Sequence, residues 1–183
     1  MPANIDLLDP DFKIKYEQLQ ANCEIEGWTI VPYFTLRHPS DQARFWRQSR
    51  STKEVNNTIS YLIAKDALWL ADVLKNVGPQ WGRWVTNALP GNSWHQFGKA
   101  VDSYVLYNGK AVWDGDGYIV MAEKAQSLRL TSGIGWNDAV HVQSNPHSSV
   151  TKTLSWFDID RLMQEKFENL KIYYCKEALT WQM

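Results

Sequence analysis

The chain contains four histidines, and two of them lie in segments that also carry an acidic residue. The segment SWHQFGKAVD holds His95 and Asp102, and the segment WNDAVHVQ holds Asp138 and His141. Two imidazoles and one carboxylate form a ligand set that catalytic zinc ions use, with a fourth position left open for water. The two segments together therefore predict a metal site formed by His95, Asp102 and His141.

The spacing within the first segment limits how these ligands can meet. In a straight strand, His95 and Asp102 would point to opposite faces, because a spacing of seven residues is odd. Gly98 lies between them and permits a turn that would bring both side chains to one point. We expect Asp102 near the start of a strand that leads into a hairpin, and His141 on another strand. Strands hold ligands stiffly, as a metal site requires.

Hydrolysis of a peptide bond at such a metal also needs a base, which takes a proton from water and passes it to the leaving amine. Asp138 lies three residues before His141 and could reach that water without binding the metal itself. Arg37 ends a predicted strand and could stabilise the oxyanion as a fixed cation. These two residues are the candidate catalytic side chains.

Each of these residues has a simpler explanation when it is taken alone. A histidine near an aspartate is common, so His95 by itself favours a structural or surface role, and Asp138 by itself favours a solvated loop. His38 and His147 have no such partners, and we expect both on the surface. The prediction of a metal site depends on the joint occurrence of the two segments.

Short helices and strands are expected to position these residues. Apolar residues at helical spacing predict helices over 10–26, 54–77, 118–130 and 156–170, and a further helix over the segment QARFWRQSR. We expect Asp11 to cap the first of these, and Ser40 or Asp41 to cap QARFWRQSR. Strands are expected over 28–36, 101–107, 111–113 and 140–143. The last of these strands would place His141 and Gln143 on one face.

Two sequence signals refine this arrangement. Asn108-Gly109 between two predicted strands is the strongest short signal for a hairpin, and Pro32 indicates an edge strand or a bulge. The mixture of helices and short strands shows no regular βαβ alternation. It favours an α+β fold with a small antiparallel sheet.

Length and charge narrow the class of protein. A chain of 183 residues fits one domain, spanning 1–183. The formal net charge of −1 gives no general attraction to nucleic acid, so no nucleic-acid partner is expected. Arg44, Arg47 and Arg50 recur at helical spacing, which favours a solvated helix face over a polyanion site.

The amino-terminal sequence favours synthesis in the cytoplasm. The start MPANIDLLDPDFKIKY lacks the basic region and apolar run of a secretory signal. The sequence contains no apolar stretch of the roughly 20 residues that cross a bilayer, so we expect no membrane insertion. Cys23 and Cys175 have no metal-binding spacing and are expected to be ordinary thiols, with a disulfide between them left open.

Three segments, taken in order, resemble the signatures of the zinc D-Ala-D-Ala carboxypeptidase and L-alanyl-D-glutamate endopeptidase family. SWHQFGKAVD matches the pattern S-x-H-x-x-G-x-A-x-D, and WNDAVHVQ is similar to a second pattern with an acidic residue three positions before a histidine. TLRHPSDQARFWRQSRS is similar to a third, in which an arginine precedes a glutamine-containing helix. Counted from the arginine of the third pattern, Arg37, the three patterns together span residues 37 to 143.

The resemblance implies a role for each candidate residue. His95, Asp102 and His141 would bind one zinc ion per chain, Asp138 would be the general base, and Arg37 would polarise the carbonyl. A second group would contact the substrate, namely Ser93, Gln42 and Trp136. The implied fold is a hedgehog-like α+β domain with helices around a small antiparallel sheet.

The resemblance also implies a function. The R-x-P-x-x-Q-A-x-x-W pattern and the aspartate at the base position look most like phage endolysins that cleave the L-alanyl-D-glutamate bond of peptidoglycan stem peptides. Alternatives are a D,D-carboxypeptidase or D-Ala-D-Ala dipeptidase, and, from another class, a catalytically silent zinc-containing binding module. We expect a monomer that acts on the bacterial wall after another factor releases or exports it.

Two features depart from this family. The segment SGIGWNDAVH, before the base, is shorter than the glycine- and tryptophan-rich loops of many members, so the substrate pocket is expected to differ. The 40 residues after Gln143 predict one helix and a tail. No separate wall-binding domain is therefore expected, and recruitment to the wall is unexplained.

Overall fold

The computed structural model describes residues 3–168, which contain six α-helices and five β-strands. The α-helices are α1 (Pro10–Ile25), α2 (Pro39–Arg47), α3 (Thr52–Ile63), α4 (Leu68–Asn76), α5 (Asp116–Ser127) and α6 (Trp156–Glu168). The strands are β1 (Thr29–Phe34), β2 (Ala100–Tyr107), β3 (Lys110–Val112), β4 (Thr131–Ser132) and β5 (His141–Gln143). Helices combined with a small antiparallel sheet confirm the predicted α+β class.

The described residues form two compact units. The first contains residues 3–37 and 94–148 and holds the whole sheet with α1 and α5. The second contains residues 38–93 and 149–168 and holds α2, α3, α4 and α6. The single domain expected over residues 1–183 stays a prediction.

Strand β2 is the centre of the sheet in the first unit. The strand order is β1-β2-β5-β4, with β3 also paired to β2, and every pair is antiparallel. Asp102 on β2 lies opposite His141 on β5 and opposite Phe34 on β1. The predicted irregularity at Pro32 is confirmed, because the register of β1 shifts between Pro32 and Phe34.

The hairpin between β2 and β3 is confirmed. Asn108 and Gly109 have φ angles of 51° and 73°, the left-handed pair that a tight hairpin turn needs at both central positions. The hairpin extends β2 beyond the paired segment that carries Asp102.

Helix α1 closes one side of the core of the first unit. Its buried face is Phe12, Tyr16, Leu19 and Cys23, as the helical spacing predicts. Tyr16 forms a buried hydrogen bond of 2.8 Å with the Ser103 hydroxyl, which ties the helix to β2. Cys175, the possible disulfide partner of Cys23, lies outside the described residues.

The cap predicted for α1 is wrong. Asp9 rather than Asp11 caps the helix, and its carboxylate accepts a bond from the Phe12 amide. Pro10 therefore takes the first helical position, where its missing N–H leaves no bond unmade.

The single helix predicted over 54–77 is also wrong, because the chain breaks there into α3 and α4. Asp66 adopts a left-handed φ of 57°, and Ala67 has no side chain that could cap α4. The cap comes instead from α6, where the Asp160 carboxylate accepts bonds from the amides of Leu70 (2.7 Å) and Trp69 (3.3 Å). The apolar periodicity continues through the break and so conceals it.

Helix α2 begins earlier than predicted. Its cap is His38, not Ser40 or Asp41, and the Nδ1 atom of His38 accepts a bond from the Ser40 amide. His38 is half-buried, so its predicted surface position is wrong, whereas His147 is exposed as expected. Among the three arginines near α2, Arg44 is exposed as predicted, but Arg47 and Arg50 are half-buried.

The last helix agrees with prediction as far as it is described, from Trp156 to Glu168. The carboxy-terminal tail expected over 172–183 lies outside the described residues. Within residues 3–168, we find no helix with the length and apolar character that crossing a membrane requires.

Gly98 is the residue at which backbone conformation matters most for the predicted site. Its φ is +71°, and a Cβ there would lie 3.0 Å from both the Asp9 amide nitrogen and the Leu7 carbonyl oxygen. The backbone of residues 7–9 therefore packs against the turn that joins His95 to β2.

We expect Gly98→Ala to lower the free energy of unfolding by about 2–3 kcal/mol, since it adds both left-handed strain and a backbone clash. Gly109→Ala is the matched control, because Gly109 has a φ of +73° with nothing within 4 Å of its missing Cβ. The control should lose only about 1 kcal/mol. Urea unfolding curves measure both values, and equal losses would show that the contact with residues 7–9 does not constrain the turn.

Candidate metal centre

The three predicted ligands come together within the first unit. His95 lies on a short 3-10 helix (Trp94–Phe97), Asp102 on β2 and His141 on β5. Because Asp102 and His141 are direct partners in the antiparallel register, their side chains share one face of the sheet. The turn at Gly98 brings His95 to that face.

One atom from each ligand forms a nearly equilateral triangle. Asp102 Oδ1 lies 3.1 Å from His95 Nε2 and 3.0 Å from His141 Nδ1, and the two nitrogens are 3.2 Å apart. His95 and His141 are 2% and 9% exposed, so bulk water does not separate these atoms. The group His95–Asp102–His141 could hold a metal ion.

The proton on His95 is fixed by the backbone. Its Nδ1 lies 2.9 Å from the carbonyl oxygen of Thr35, and a carbonyl can only accept, so Nδ1 donates. In the neutral ring, Nε2 therefore carries a lone pair that points into the triangle. Burial lowers the pKa of His95 in spite of the nearby Asp102, which favours this neutral form.

A glutamine fixes the proton on His141. The Nε2 atom of His141 lies 2.9 Å from Gln143 Oε1. The amide group cannot be reversed, because Gln143 Nε2 donates to the carbonyl oxygens of Asn145 (2.6 Å) and His147 (2.9 Å). His141 Nε2 must therefore be the donor, which directs Nδ1 into the triangle.

The triangle therefore joins three acceptors, and without an ion only a proton can relieve their repulsion. Burial by itself would lower the pKa of His141, but the hydrogen bond and charge of Asp102 outweigh it and raise that pKa. Burial would likewise raise the pKa of Asp102, but the two neighbouring imidazoles hold it well below its ordinary value. A divalent cation would replace that proton and bind all three acceptors at once.

The ligand atoms fit a zinc-sized ion closely. Tetrahedral bonds of about 2.0–2.2 Å place neighbouring ligand atoms roughly 3.3–3.5 Å apart, so each edge of the triangle would lengthen by only a few tenths of an ångström. Hydrogen bonds from the outer nitrogens to a carbonyl or amide oxygen are the support that metal-binding histidines usually have. Three ligands also leave a fourth tetrahedral position.

Asp138 lies in the loop before β5. The pKa of Asp138 is raised, mainly because the carboxyl group is half-buried and also because of the negative charge of Asp102. The charges of His141 and Arg37 oppose this increase but do not cancel it. The loop is tight, because Asn137 has a φ of 62° and a Cβ on Gly133 would lie 2.2 Å from the Asp138 carbonyl oxygen. Asp138 is thus held beside the ligand triangle without belonging to it.

Arg37 contacts the outer oxygen of the carboxylate ligand. Its Nη2 lies 3.4 Å from Asp102 Oδ2, and its guanidinium covers the Phe34 ring at 4.5 Å. Its amide donates to the carbonyl oxygen of His95 at 3.2 Å. Arg37 therefore holds a positive charge on the side of Asp102 away from the two imidazoles.

The predicted substrate-contacting residues are distributed over both units. Trp136 is in the first unit, 44% exposed, with its ring centre 6.2 Å from that of His141. Gln42 and Ser93 belong to the second unit. Gln42 is fully buried and donates to the Ala88 carbonyl oxygen at 2.7 Å, and Ser93 is half-buried. Substrate contact by these three residues stays a prediction.

Two groups that orient the imidazoles were absent from the sequence prediction of the site. Gln143 could have been found, because a residue two positions after His141 on a strand shares its face. Thr35 acts through its backbone carbonyl, and no side-chain pattern reveals such a partner. Both lie within the quoted segments, at positions to which the sequence analysis assigned no role.

Comparison with known proteins gives no match, either to a family model or to a curated protein. The resemblance to the zinc peptidase family therefore stays a prediction from the motifs.

We expect Gln143→Leu to weaken zinc binding about 10–100-fold, since His141 would lose the acceptor that holds its Nε2 proton outward. Gln126→Leu, at an exposed position on α5, is the matched control and should bind zinc like the parent. Competition titration with a chromophoric chelator measures both affinities. Equal affinity in the two variants would exclude Gln143 as the orienting group.

Proposed function

We propose that the protein is a zinc-dependent peptidase that hydrolyses the L-alanyl-D-glutamate bond of peptidoglycan stem peptides. The observation that carries this proposal is the convergence of His95, Asp102 and His141, whose inward atoms are all acceptors. The motif SWHQFGKAVD supplies two of these ligands and supports the choice of family.

The ligand set favours zinc over the harder cations. Calcium and magnesium prefer six or more oxygen ligands, whereas this site offers two imidazole nitrogens and one carboxylate oxygen. Bound here, zinc would supply a Lewis acid and lower the pKa of a coordinated water. The fourth tetrahedral position of that ion would be taken by water or by the substrate carbonyl.

Asp138 has the properties of the base. Its carboxylate is half-buried, and its raised pKa brings it closer to the neutral range in which a base can both accept and return a proton. It would take a proton from the attacking water and deliver it to the leaving amine. The tight packing of Gly133 against the backbone of Asp138 would limit the movement of the carboxylate between the two transfers.

Arg37 and Trp136 would act on the substrate. Arg37 is fixed by Asp102 and Phe34, so its charge is available to the developing oxyanion with little reorganisation. Trp136 presents an exposed ring beside His141, which suits an apolar contact with the stem peptide.

Digestion of purified peptidoglycan tests the proposal directly. Metal-free protein should leave muropeptides intact, and one equivalent of zinc should restore cleavage, because the ligands alone activate no water. Mass spectrometry should find stems released after L-Ala. Loss of terminal D-Ala instead would contradict the proposed bond, and cleavage that persists without metal would contradict the mechanism.

Asp138→Asn should keep one equivalent of zinc but lose about 10²–10⁴-fold in turnover, because the amide accepts no proton. The matched control is Asp114→Asn, at an exposed position of the first unit, which should cleave like the parent. Initial rates on a soluble muropeptide measure the effect. Full turnover in Asp138→Asn would reject its assignment as the base.

A further inference from the structure

The second unit contains a cavity of about 290 Å³ between the start of α3 and the segment that follows α4. Its walls include Arg47, Arg50 and Thr52 on one side and Gln80, Trp81 and Gly82 on the other. None of the residues that line it is acidic. The cavity is therefore polar and positively charged.

The segment after α4 is held in place although it has no regular secondary structure. The Ser49 hydroxyl donates to the Gly82 carbonyl oxygen at 2.6 Å, and Gln80 Nε2 donates to the Val77 carbonyl oxygen at 2.9 Å. Gly82 has a φ of +139°, and a Cβ there would lie 3.1 Å from the side-chain amide of Gln48. These contacts form the cavity wall before any ligand binds.

Arg50 is fixed on both faces of its guanidinium. The group lies 3.5 Å from the centre of the Trp84 ring and 4.6 Å from that of Trp46. Its amino groups donate to the carbonyl oxygens of Thr86 (2.8 Å) and Gln48 (3.2 Å). These direct partners are all neutral, so none of them cancels its charge.

Arg47 is similarly placed. Its Nη1 donates to the carbonyl oxygens of Leu74 (3.0 Å) and Lys75 (3.3 Å) at the end of α4, and its Nε and Nη2 donate to no group in residues 3–168. Within the same range, no carboxylate lies within 4.0 Å of a nitrogen of Arg47 or Arg50. Glu54, whose charge reaches Arg50, is engaged by the amide (2.8 Å) and hydroxyl (2.6 Å) of Ser51.

An exposed tryptophan completes the cavity. Trp81 is 86% exposed, which is unusual for so large an apolar ring. A flat, exposed indole stacks well on the apolar C–H face of a sugar ring. The Nε and Nη2 donors of Arg47, together with the nearby charge of Arg50, suit a carboxylate or phosphate. The two features together match a ligand that is both a saccharide and an anion.

We propose that this cavity binds an anionic saccharide of the bacterial cell wall and so recruits the protein to its substrate. The ligand chemistry follows from the cavity, whereas its source in the wall rests on the proposed function. A nucleic acid would offer phosphates and flat bases, but a chain with a net charge of −1 gains no general attraction to it.

Sedimentation with purified sacculi tests this assignment, with the full chain loaded with zinc and carrying Asp138→Asn throughout, so that cleavage of the wall is suppressed. Trp81→Ala and Arg47→Gln should each weaken binding about tenfold or more, because each removes one contact to the saccharide or its anion. The matched controls are Trp113→Ala, an exposed tryptophan of the first unit, and Arg44→Gln, an exposed arginine of α2 that pairs with Asp41. Both controls should sediment like the parent.

Trp81→Ala protects the test against misfolding, because the ring is 86% exposed and its removal takes little apolar area out of the packed structure. Hydrofluoric acid strips phosphodiester-linked polymers from sacculi, so comparing treated with untreated sacculi shows which wall component supplies the anionic group. Binding lost after this treatment assigns the phosphate of attached polymers, and binding retained assigns carboxylates of the peptidoglycan itself. Either result supports an anionic saccharide.

Three results would overturn the inference. They are a parent that does not sediment, a Trp81→Ala variant that sediments like the parent, and parent binding that single-stranded DNA of equal mass abolishes. This readout is independent of the proposed peptidase activity. If the protein cleaves soluble muropeptides but the cavity variants sediment like the parent, only the proposal of saccharide binding at the cavity is rejected. If sedimentation depends on the cavity but no muropeptide is cleaved, only the proposal of peptidase activity is rejected.

Discussion

Three buried acceptor atoms, none carrying a proton of its own, meet at the centre of the first unit. Asp102 Oδ1, His95 Nε2 and His141 Nδ1 lie 3.0–3.2 Å from one another in a region that water barely reaches. Such a group is costly unless a cation or a shared proton occupies its centre. Other parts of the fold must therefore hold the three side chains close to one another.

Strand pairing, one turn and two hydrogen bonds hold these three side chains in place. The register of β2 and β5 sets Asp102 opposite His141, and Gly98 allows the chain to return His95 to the same face. Thr35 and Gln143 then fix which nitrogen of each imidazole turns inward. A metal site of this kind is a property of the backbone hydrogen bonds as much as of the ligands.

The three residues of the candidate metal centre could be predicted from the sequence, because histidine and aspartate are recognisable ligand types and their spacing matched two motif segments. The hairpin at Asn108-Gly109 was predictable for a similar reason, since few residues tolerate its φ angles. The break before α4 was not, because its cap is Asp160, which lies far along the chain. The orientation of Gln143 was equally inaccessible, since it depends on the backbone carbonyls of Asn145 and His147.

Zinc-edge anomalous scattering from crystals grown with zinc would locate an ion bound to this group. We expect a single anomalous peak in each chain at about 2.0–2.2 Å from His95 Nε2, Asp102 Oδ1 and His141 Nδ1. A map with no peak among these three atoms, from crystals in which zinc binds elsewhere, would contradict this expectation.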